Sequence, residues 1–422
     1  MRRQTTHLTD RHPKNLRCGR RMGGGGASRL CNLPTYKSLM RLPDTKQPEA
    51  KSEMRSALLQ YKYQAPDLSF LERNGLDNFW AFLANRIYPS WLAPNLITLC
   101  GGACVATAAL LTIAHSPSLD GSSPQWVYVV DALLLWLYQS LDGSDGKQAR
   151  KTKSGSPVGE MFDHGLDACA VGAIVVVSTD AFGWGIDNKW PWLALLCAQA
   201  GFFSTNLTLL HHGRMRVDLC GVIELQTAMI SSLLLTAVGT PALWQSKLVA
   251  GYEIREALAM FTVLSIASSL CVCVRDVAIQ NASLAARQEA RRQCGAFALY
   301  ACCVGTAAAS LLSGEDEGGR TSALRLLLLC ANSSFAEFMA RVLMRRVALL
   351  PMPTFQPGLT ALGFFAVSNI LFGAHRPNML TVFAVGAALA HASYFVCAIR
   401  SAANALGIHV FRVRGARSWC RL

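Results

Sequence analysis

The sequence predicts an all-α, polytopic integral membrane protein with about ten transmembrane helices. Two observations carry that class. Hydrophobic residues make up 52% of the 422 residues and charged residues only 16%, well under the ~25% charged of soluble domains. Apolar runs of ~17 to 25 residues, long enough to cross a bilayer as a helix, recur from residue 93 to residue 400.

Ahead of the first run, residues 1–60 read as a disordered basic tail. They hold 13 Lys/Arg and 4 Asp/Glu, with GGGG at 23–26 and scattered prolines, and too little apolar periodicity to bury a core. No apolar stretch follows the basic start, which argues against a cleaved secretory signal, and Asp10 argues against a transit peptide. Residues 61–92, YKYQAPDLSFLERNGLDNFWAFLANRIYPSWL, mix Phe79, Trp80, Phe82, Leu83, Ile87 and Trp91 with charges. That mixture predicts an interfacial amphipathic segment leading into the first span. Spans follow at 93–115, 125–141, 161–180, 190–210, 221–243, 255–274, 294–313, 325–344, 355–373 and 378–399. They define a transmembrane domain over 93–400, and 401–422 form a basic cytosolic tail.

Charge placement narrows the partners. Of the net +14, nine sit in the first 60 residues, so the excess points to anionic lipid beside a membrane and away from nucleic acid. With a cytosolic N-terminus, the connections at 142–153, 211–218, 275–292 and 341–346 and the tail from Arg400 face the cytosol. Together they carry 18 Lys/Arg, and the acidic GEDEG at 314–318 falls on the opposite side, as the positive-inside rule prefers. The 15 cysteines, Cys271, Cys273, Cys302 and Cys303 among them, lack zinc-ligand spacing and read as small apolar filler. Sequons at Asn206 and Asn332 fall inside spans and that at Asn281 in a cytosolic loop, so none is expected to carry a glycan.

The chemistry concentrates in SLDGSDGKQARKTKSGSPVGEMFDHGLDACA, residues 140–170. GSDGKQ is not a phosphate-binding loop, because Leu141 replaces the first glycine and Gln148 the Ser/Thr. DGSDG likewise lacks the alternating ligands of an EF-hand. Asp142 and Asp145 are three apart, Asp163 and Asp167 four apart, so each pair shares a face if the helices continue through them. The linker 146–160 is short enough to bring the two helix ends together. Four converging carboxylates repel one another, and hard Mg²⁺ or Mn²⁺ reverses that penalty while bridging to substrate phosphates. Gly146 and Ala149 leave room for a flat ligand, and Gly159 permits close helix approach. Lys147, Arg150, Lys151 and Lys153 are placed to offset phosphate charge. Elsewhere, Glu224 in VIELQTAMI needs a partner or a function. It either orients a reacting group or pairs with Arg216. Arg214 and Arg216 suit a headgroup phosphate or anionic lipid. Asp131 and Glu337 read as internal partners for polar groups.

The run Asp142-x2-Asp145-Gly146-x2-Ala149-Arg150-x8-Gly159-x3-Asp163-x3-Asp167 resembles the complete signature of the CDP-alcohol phosphatidyltransferases. DGKQARKTKSGSPVGEMFDHGLDA is similar to the version found in eukaryotic choline- and ethanolaminephosphotransferases. PSWLAPNLITLCG, GVIELQ and ALGIHVFRV extend the likeness over roughly residues 60–413. The resemblance implies a membrane enzyme, commonly a homodimer of about ten helices, in the endoplasmic reticulum or Golgi with its site facing the cytosol. It implies transfer of phosphoethanolamine or phosphocholine from CDP-ethanolamine or CDP-choline to diacylglycerol, with release of CMP. It also implies Asp142, Asp145, Asp163 and Asp167 as ligands of two Mg²⁺ or Mn²⁺ ions, with Asp167 a candidate base. Gly146, Ala149 and Arg150 would line the CDP site, and Asn95 would reach the nucleotide phosphate.

The reaction needs a proton acceptor near the attacking hydroxyl. His164, adjacent to Asp163, is the alternative base, because its ordinary pKa lies near working pH, and Glu224 is its candidate orienter. Trp136, Tyr138 and Phe162 are the aromatic residues near the site in sequence, the residue type a quaternary ammonium group prefers. Two other readings compete: a CDP-alcohol transferase for another lipid such as an inositol lipid, and a non-catalytic membrane protein that binds cations.

Overall fold

The computed structural model describes residues 42–43, 45, 47–61, 68–212, 221–248, 251–279, 284–314, 317–350, 356–372 and 377–413. These residues form twelve α-helices and no β-strand. α1 is Pro48–Gln60 and α2 is Asp77–Phe82, which two single π-turns, Glu72–Leu76 and Leu83–Ile87, flank. The remainder are α3 (Pro94–His115), α4 (Gln125–Lys151), α5 (Pro157–Ala181), α6 (Lys189–His212), α7 (Val222–Gly239), α8 (Ile254–Ile279), α9 (Leu284–Leu312), α10 (Glu317–Ala348), α11 (Pro357–Phe372) and α12 (Pro377–Leu406).

A helix therefore stands at each of the ten expected positions, and seven are long and apolar enough to cross a membrane: α3, α5, α6, α7, α9, α10 and α12. Ten spans are not established. α11 has only 16 residues, and α4 holds Asp131, Gln139, Asp142 and Asp145 within its length. Large apolar side chains such as Leu110, Leu133, Val238, Phe261, Val382 and Leu389 are exposed on the outer surface, the face a bilayer would cover.

Local chemistry sets the ends that matter for the site. Pro94 occupies the first turn of α3, where its missing N–H costs nothing. Ser156 caps α5 by accepting from Gly159 N at 3.1 Å, with Pro157 behind it. Between α4 and α5 the chain reverses over residues 152–156, with Lys153 at φ 53° and Ser154 N donating to Ala149 O at 3.0 Å. That tight reversal returns α5 close to the carboxylate-bearing end of α4. α3 packs along both helices, and α7 closes the far side of α4, where Gln139 Nε2 donates to Ile223 O at 3.1 Å and Thr227 Oγ1 at 3.2 Å.

α10 is the central helix, with 78% of its apolar window buried against 17% for α7. It contributes to two cores. The larger joins α3 through α12. The smaller lies at the end that carries the α5 N-terminus, and combines Met54 and Leu58 of α1 with Met161, Phe162, Leu343, Val347, Tyr394 and Ala398.

Three expectations need correction. The tail does not run unstructured to residue 60: Pro48 starts α1, and Met54 and Leu58, four apart on one face, are buried against α10 and α12. The domain does not end at 400, because α12 continues to Leu406 and stops at Gly407, φ 66°. Nor are Arg341 and Arg346 loop charges, since α10 runs on to Ala348 and buries both. Of the remaining tails, 1–41 and 414–422 lie outside the described residues.

Arg341 is held by Glu337 one turn back, and its guanidinium stands 4.0 Å from the Tyr394 ring centroid. Glu337 Oε2 also accepts from Gly358 N, and Asp131 accepts from Thr112 Oγ1 at 2.8 Å, so both acids serve internal polar groups as expected. Glu337→Leu would strand a buried guanidinium, at a cost of roughly 3–5 kcal/mol. We predict a clearly lowered thermal unfolding midpoint in detergent for Glu337→Leu, and partial recovery when Arg341→Met is added.

Candidate active site

Asp142, Asp163 and Asp167 each offer a carboxylate oxygen, and these oxygens lie within 4.8 Å of one another. Asp163 and Asp167 share one face of α5 because they are a turn apart, and Asp142 meets them from α4. Among the described residues this is the one such convergence of three or more acidic, His or Cys groups. Like charges this close repel, and a partly apolar setting enlarges the penalty.

The fourth aspartate, Asp145, is buried and accepts a hydrogen bond from Thr98 Oγ1 of α3; its carboxylate is not among the three converging ones. Tyr138 O–H donates to Asp167 Oδ1 at 2.8 Å. Asp163 Oδ1 is buried with no hydrogen-bond partner. A hard divalent cation takes carboxylate oxygens, and three converging carboxylates with one orphaned oxygen fit such an ion.

The surrounding positions divide into open and occupied. Gly146 faces open space, the nearest side-chain atom being Arg150 Nη1 at 3.8 Å from where a Cβ would stand. Arg150 is exposed and Ala149 is partly exposed beside it, an unobstructed cationic edge. Gly159 is tighter: a Cβ would meet Asn95 Oδ1 at 3.3 Å. Asn95 in turn donates to Val410 O at 2.9 Å, so the segment after α12 returns to this end of the molecule.

Two of the lysines expected to serve phosphate are otherwise engaged. Lys147 pairs with Asp77, and Lys151 donates to Ala84 O and Tyr88 O. Gln148 Nε2 donates to Pro89 O and Leu92 O, each at 2.9 Å. Trp80 sits against Gly143, where any Cβ would overlap the indole, and Phe79 stacks on Trp136 at 5.9 Å. These contacts dock the α2 segment across the carboxylate end of α4. The outer side of that segment leaves Phe70, Phe82, Ile87 and Trp91 exposed, which suits an amphipathic element at an interface. Residues 62–67 lie outside the described residues.

His164 is buried, and its Nδ1 lies 3.2 Å from Asn206 Oδ1 of α6. Glu224 is not its orienter: Glu224 Oε1 accepts from Leu71 N at 3.0 Å, so the first turn of α7 pins the chain leading into α2. Arg214 and Arg216 lie outside the described residues. The aromatic candidates do not form one box. Trp136 stacks on Phe79, Tyr138 bonds Asp167, and Phe162 packs against Phe395 and Phe411 at 5.9 and 5.5 Å. Asn206 and Asn332 are turned inward, their Nδ2 groups donating to Phe202 O and Cys169 O.

Sequence reasoning missed Gly143, Gln148 and Asn206. Gly143 is visible only as one glycine among several, and its partner lies more than sixty residues upstream. Asn206 carries a sequon, which drew attention to the wrong property.

Comparisons with known proteins cover the stretch that carries these residues. Residues 91–252 match the family model described as CDP-alcohol phosphatidyltransferase. Choline/ethanolaminephosphotransferase 1 of Arabidopsis thaliana is 45% identical over 140 residues, 33% of this chain and 35% of that protein. Cholinephosphotransferase 1 of Gallus gallus is 37% identical over 199 residues, 47% of this chain and 59% of the relative. Cholinephosphotransferase 1 of Homo sapiens is 34% identical over 198 residues, 47% of this chain and 48% of the relative. The chain thus matches about a third to three-fifths of the length of these relatives.

Because a methyl at Gly143 would overlap Trp80, Gly143→Ala overpacks the seam at a cost of roughly 1–3 kcal/mol. We predict faster proteolysis within residues 70–92 for Gly143→Ala. Adding Trp80→Leu makes room for the methyl, and protection should return.

Proposed function

We propose that this chain transfers phosphoethanolamine, phosphocholine or both from a CDP-amino alcohol to diacylglycerol, releasing CMP and forming the corresponding phospholipid. The observation that carries this reading is the convergence of Asp142, Asp163 and Asp167 at the facing ends of α4 and α5, inside the stretch that matches the CDP-alcohol phosphatidyltransferase model. The printed names of the relatives point to choline and ethanolamine donors.

In this reading Asp142, Asp163 and Asp167 would hold Mg²⁺ or Mn²⁺, with Asp145 as the further carboxylate of a two-ion set. Such ions supply charge neutralisation on the pyrophosphate and the departing CMP oxygen. Arg150, exposed at the open edge beside Gly146 and Ala149, binds phosphate oxygens through its fork of N–H donors. Gly159 and Asn95 bound the opposite edge of the nucleotide site. The acceptor hydroxyl attacks the β-phosphorus and must lose its proton to a nearby base. His164 takes that role. Asp167, already accepting from Tyr138, stays committed to the carboxylate cluster. Glu224 acts at one remove, by holding the α2 segment in place over the site.

The same proposal places the chain as a homodimer in the endoplasmic reticulum or Golgi membrane, with the site facing the cytosol. Support comes from the Lys/Arg of the connections 142–153 and 275–292, which the positive-inside rule assigns to the cytosolic side.

The test is direct. Purified protein is given diacylglycerol, Mg²⁺ or Mn²⁺, and labelled CDP-choline or CDP-ethanolamine, with CDP-diacylglycerol and inositol in parallel. Phosphatidylcholine or phosphatidylethanolamine with stoichiometric CMP is the expected result. Folded protein that makes neither contradicts the proposal, and an inositol lipid in the parallel reaction would replace it. Asp163→Asn removes a charge that cation binding requires, so turnover should vanish at every metal concentration. Near-normal turnover in that variant would remove Asp163 from the metal set.

A further inference from the structure

From His164, next to Asp163 in sequence, runs a polar chain whose pivot is the amide of Asn206, only 1% exposed. Asn206 Nδ2 donates to Phe202 O at 2.9 Å, one turn back on α6. Its Oδ1 lies 3.3 Å from Arg346 Nη1 of α10 and 3.2 Å from His164 Nδ1 of α5. A guanidinium only donates and a backbone carbonyl only accepts, so one orientation of the amide satisfies both neighbours. Oδ1 therefore presents an acceptor to His164, and the hydrogen bond forms when Nδ1 carries the ring proton. A neutral imidazole protonated at Nδ1 has its lone pair on Nε2. Arg346 is itself fixed by Glu160, whose Oε1 also accepts from Tyr61 O–H at 2.8 Å. The amide is thus clamped from α6 and α10, and Asn206, His164 and Arg346 are all buried.

We propose that Asn206 is a positioning residue that sets the tautomer and orientation of His164, with Arg346 locking the amide. The inference rests on the reading of His164 as the base that receives the acceptor's proton. In that step the acceptor O–H bond breaks as its oxygen bonds the β-phosphorus. The proton passes to Nε2, and the bond from phosphorus to the CMP oxygen breaks with its electron pair leaving on CMP. An imidazole in the other tautomer presents an N–H where the lone pair is needed. The bland alternative is a buried amide that only satisfies its neighbours, and the two predict different kinetics.

The experiment compares kcat and KM for Asn206→Leu, Asn206→Asp, His164→Ala and the double variant, using whichever CDP-amino alcohol the protein turns over. Asn206→Leu keeps the volume and removes the acceptor, so kcat should fall roughly ten- to a hundredfold, as when a histidine's orienting partner is lost. KM for the CDP donor should stay within about twofold, because nucleotide binding does not use this amide. Asn206→Asp keeps an oxygen for His164 and Arg346 and should recover most of the rate. In the His164→Ala background, Asn206→Leu should cost nothing more, since residues acting as a unit are not additive. Wild-type kcat in Asn206→Leu overturns the proposal, as do losses that multiply in the double variant. If Asn206→Leu fails to fold, judged by gel filtration in detergent, Asn206→Ala replaces it in the same comparison. Wild-type kcat in His164→Ala would remove the base assignment itself, an outcome distinct from failure at Asn206.

Discussion

Three carboxylates whose oxygens approach within 4.8 Å repel one another at the edge of an apolar helical bundle, and most of what surrounds them follows from containing that repulsion. At such spacing they must share protons or a cation, and burial sharpens the choice. Tyr138 supplies one donor to Asp167 and Thr98 supplies one to Asp145. Asp163 Oδ1 is left with no protein partner. A divalent cation would resolve the cluster, because its preferred oxygen ligands already converge there. The fold makes this possible by returning the chain within residues 152–156, so that α5 begins close to where the α4 carboxylates end.

The rest of this end of the molecule holds that juncture closed. From one side, Lys147, Gln148 and Lys151 reach out of α4 to the α2 segment, and Trp80 fills the space that Gly143 leaves. From α7, Glu224 pins the approach to the same segment. On the other side, α1, α10 and α12 form a small separate core around Met161 and Phe162. Within it, Glu160 and Arg346 join α5 to α10. The side of the α2 segment away from α4 is apolar and exposed, so membrane attachment and site geometry meet in one short element.

Much of this was legible in the sequence, and the parts that were not share a cause. Aspartates three and four apart announce a shared helix face, and apolar runs announce helices at the ten positions where they occur. Contacts between distant segments leave no local trace. Lys147 and Lys151 look like phosphate ligands until Asp77 and the carbonyls of Ala84 and Tyr88, some seventy residues earlier, are placed beside them. Arg341 and Arg346 look like loop charges because α10 outlasts its apolar window, and burial of an ion pair cannot be read from spacing. α1 was missed because only a narrow face, Met54 and Leu58, is apolar within a charged stretch. Asn206 was visible only as a sequon, since its value lies in partners on three different helices.

The central claim is that the carboxylate cluster is a cation site, and binding can be measured without turnover. Purified protein is titrated with Mn²⁺ while the electron paramagnetic resonance signal of free Mn²⁺ is followed. The wild-type chain should remove Mn²⁺ saturably from solution, and Asp142→Asn should abolish or severely weaken that uptake while the protein stays folded. Identical Mn²⁺ uptake by the wild-type and Asp142→Asn proteins would contradict the account.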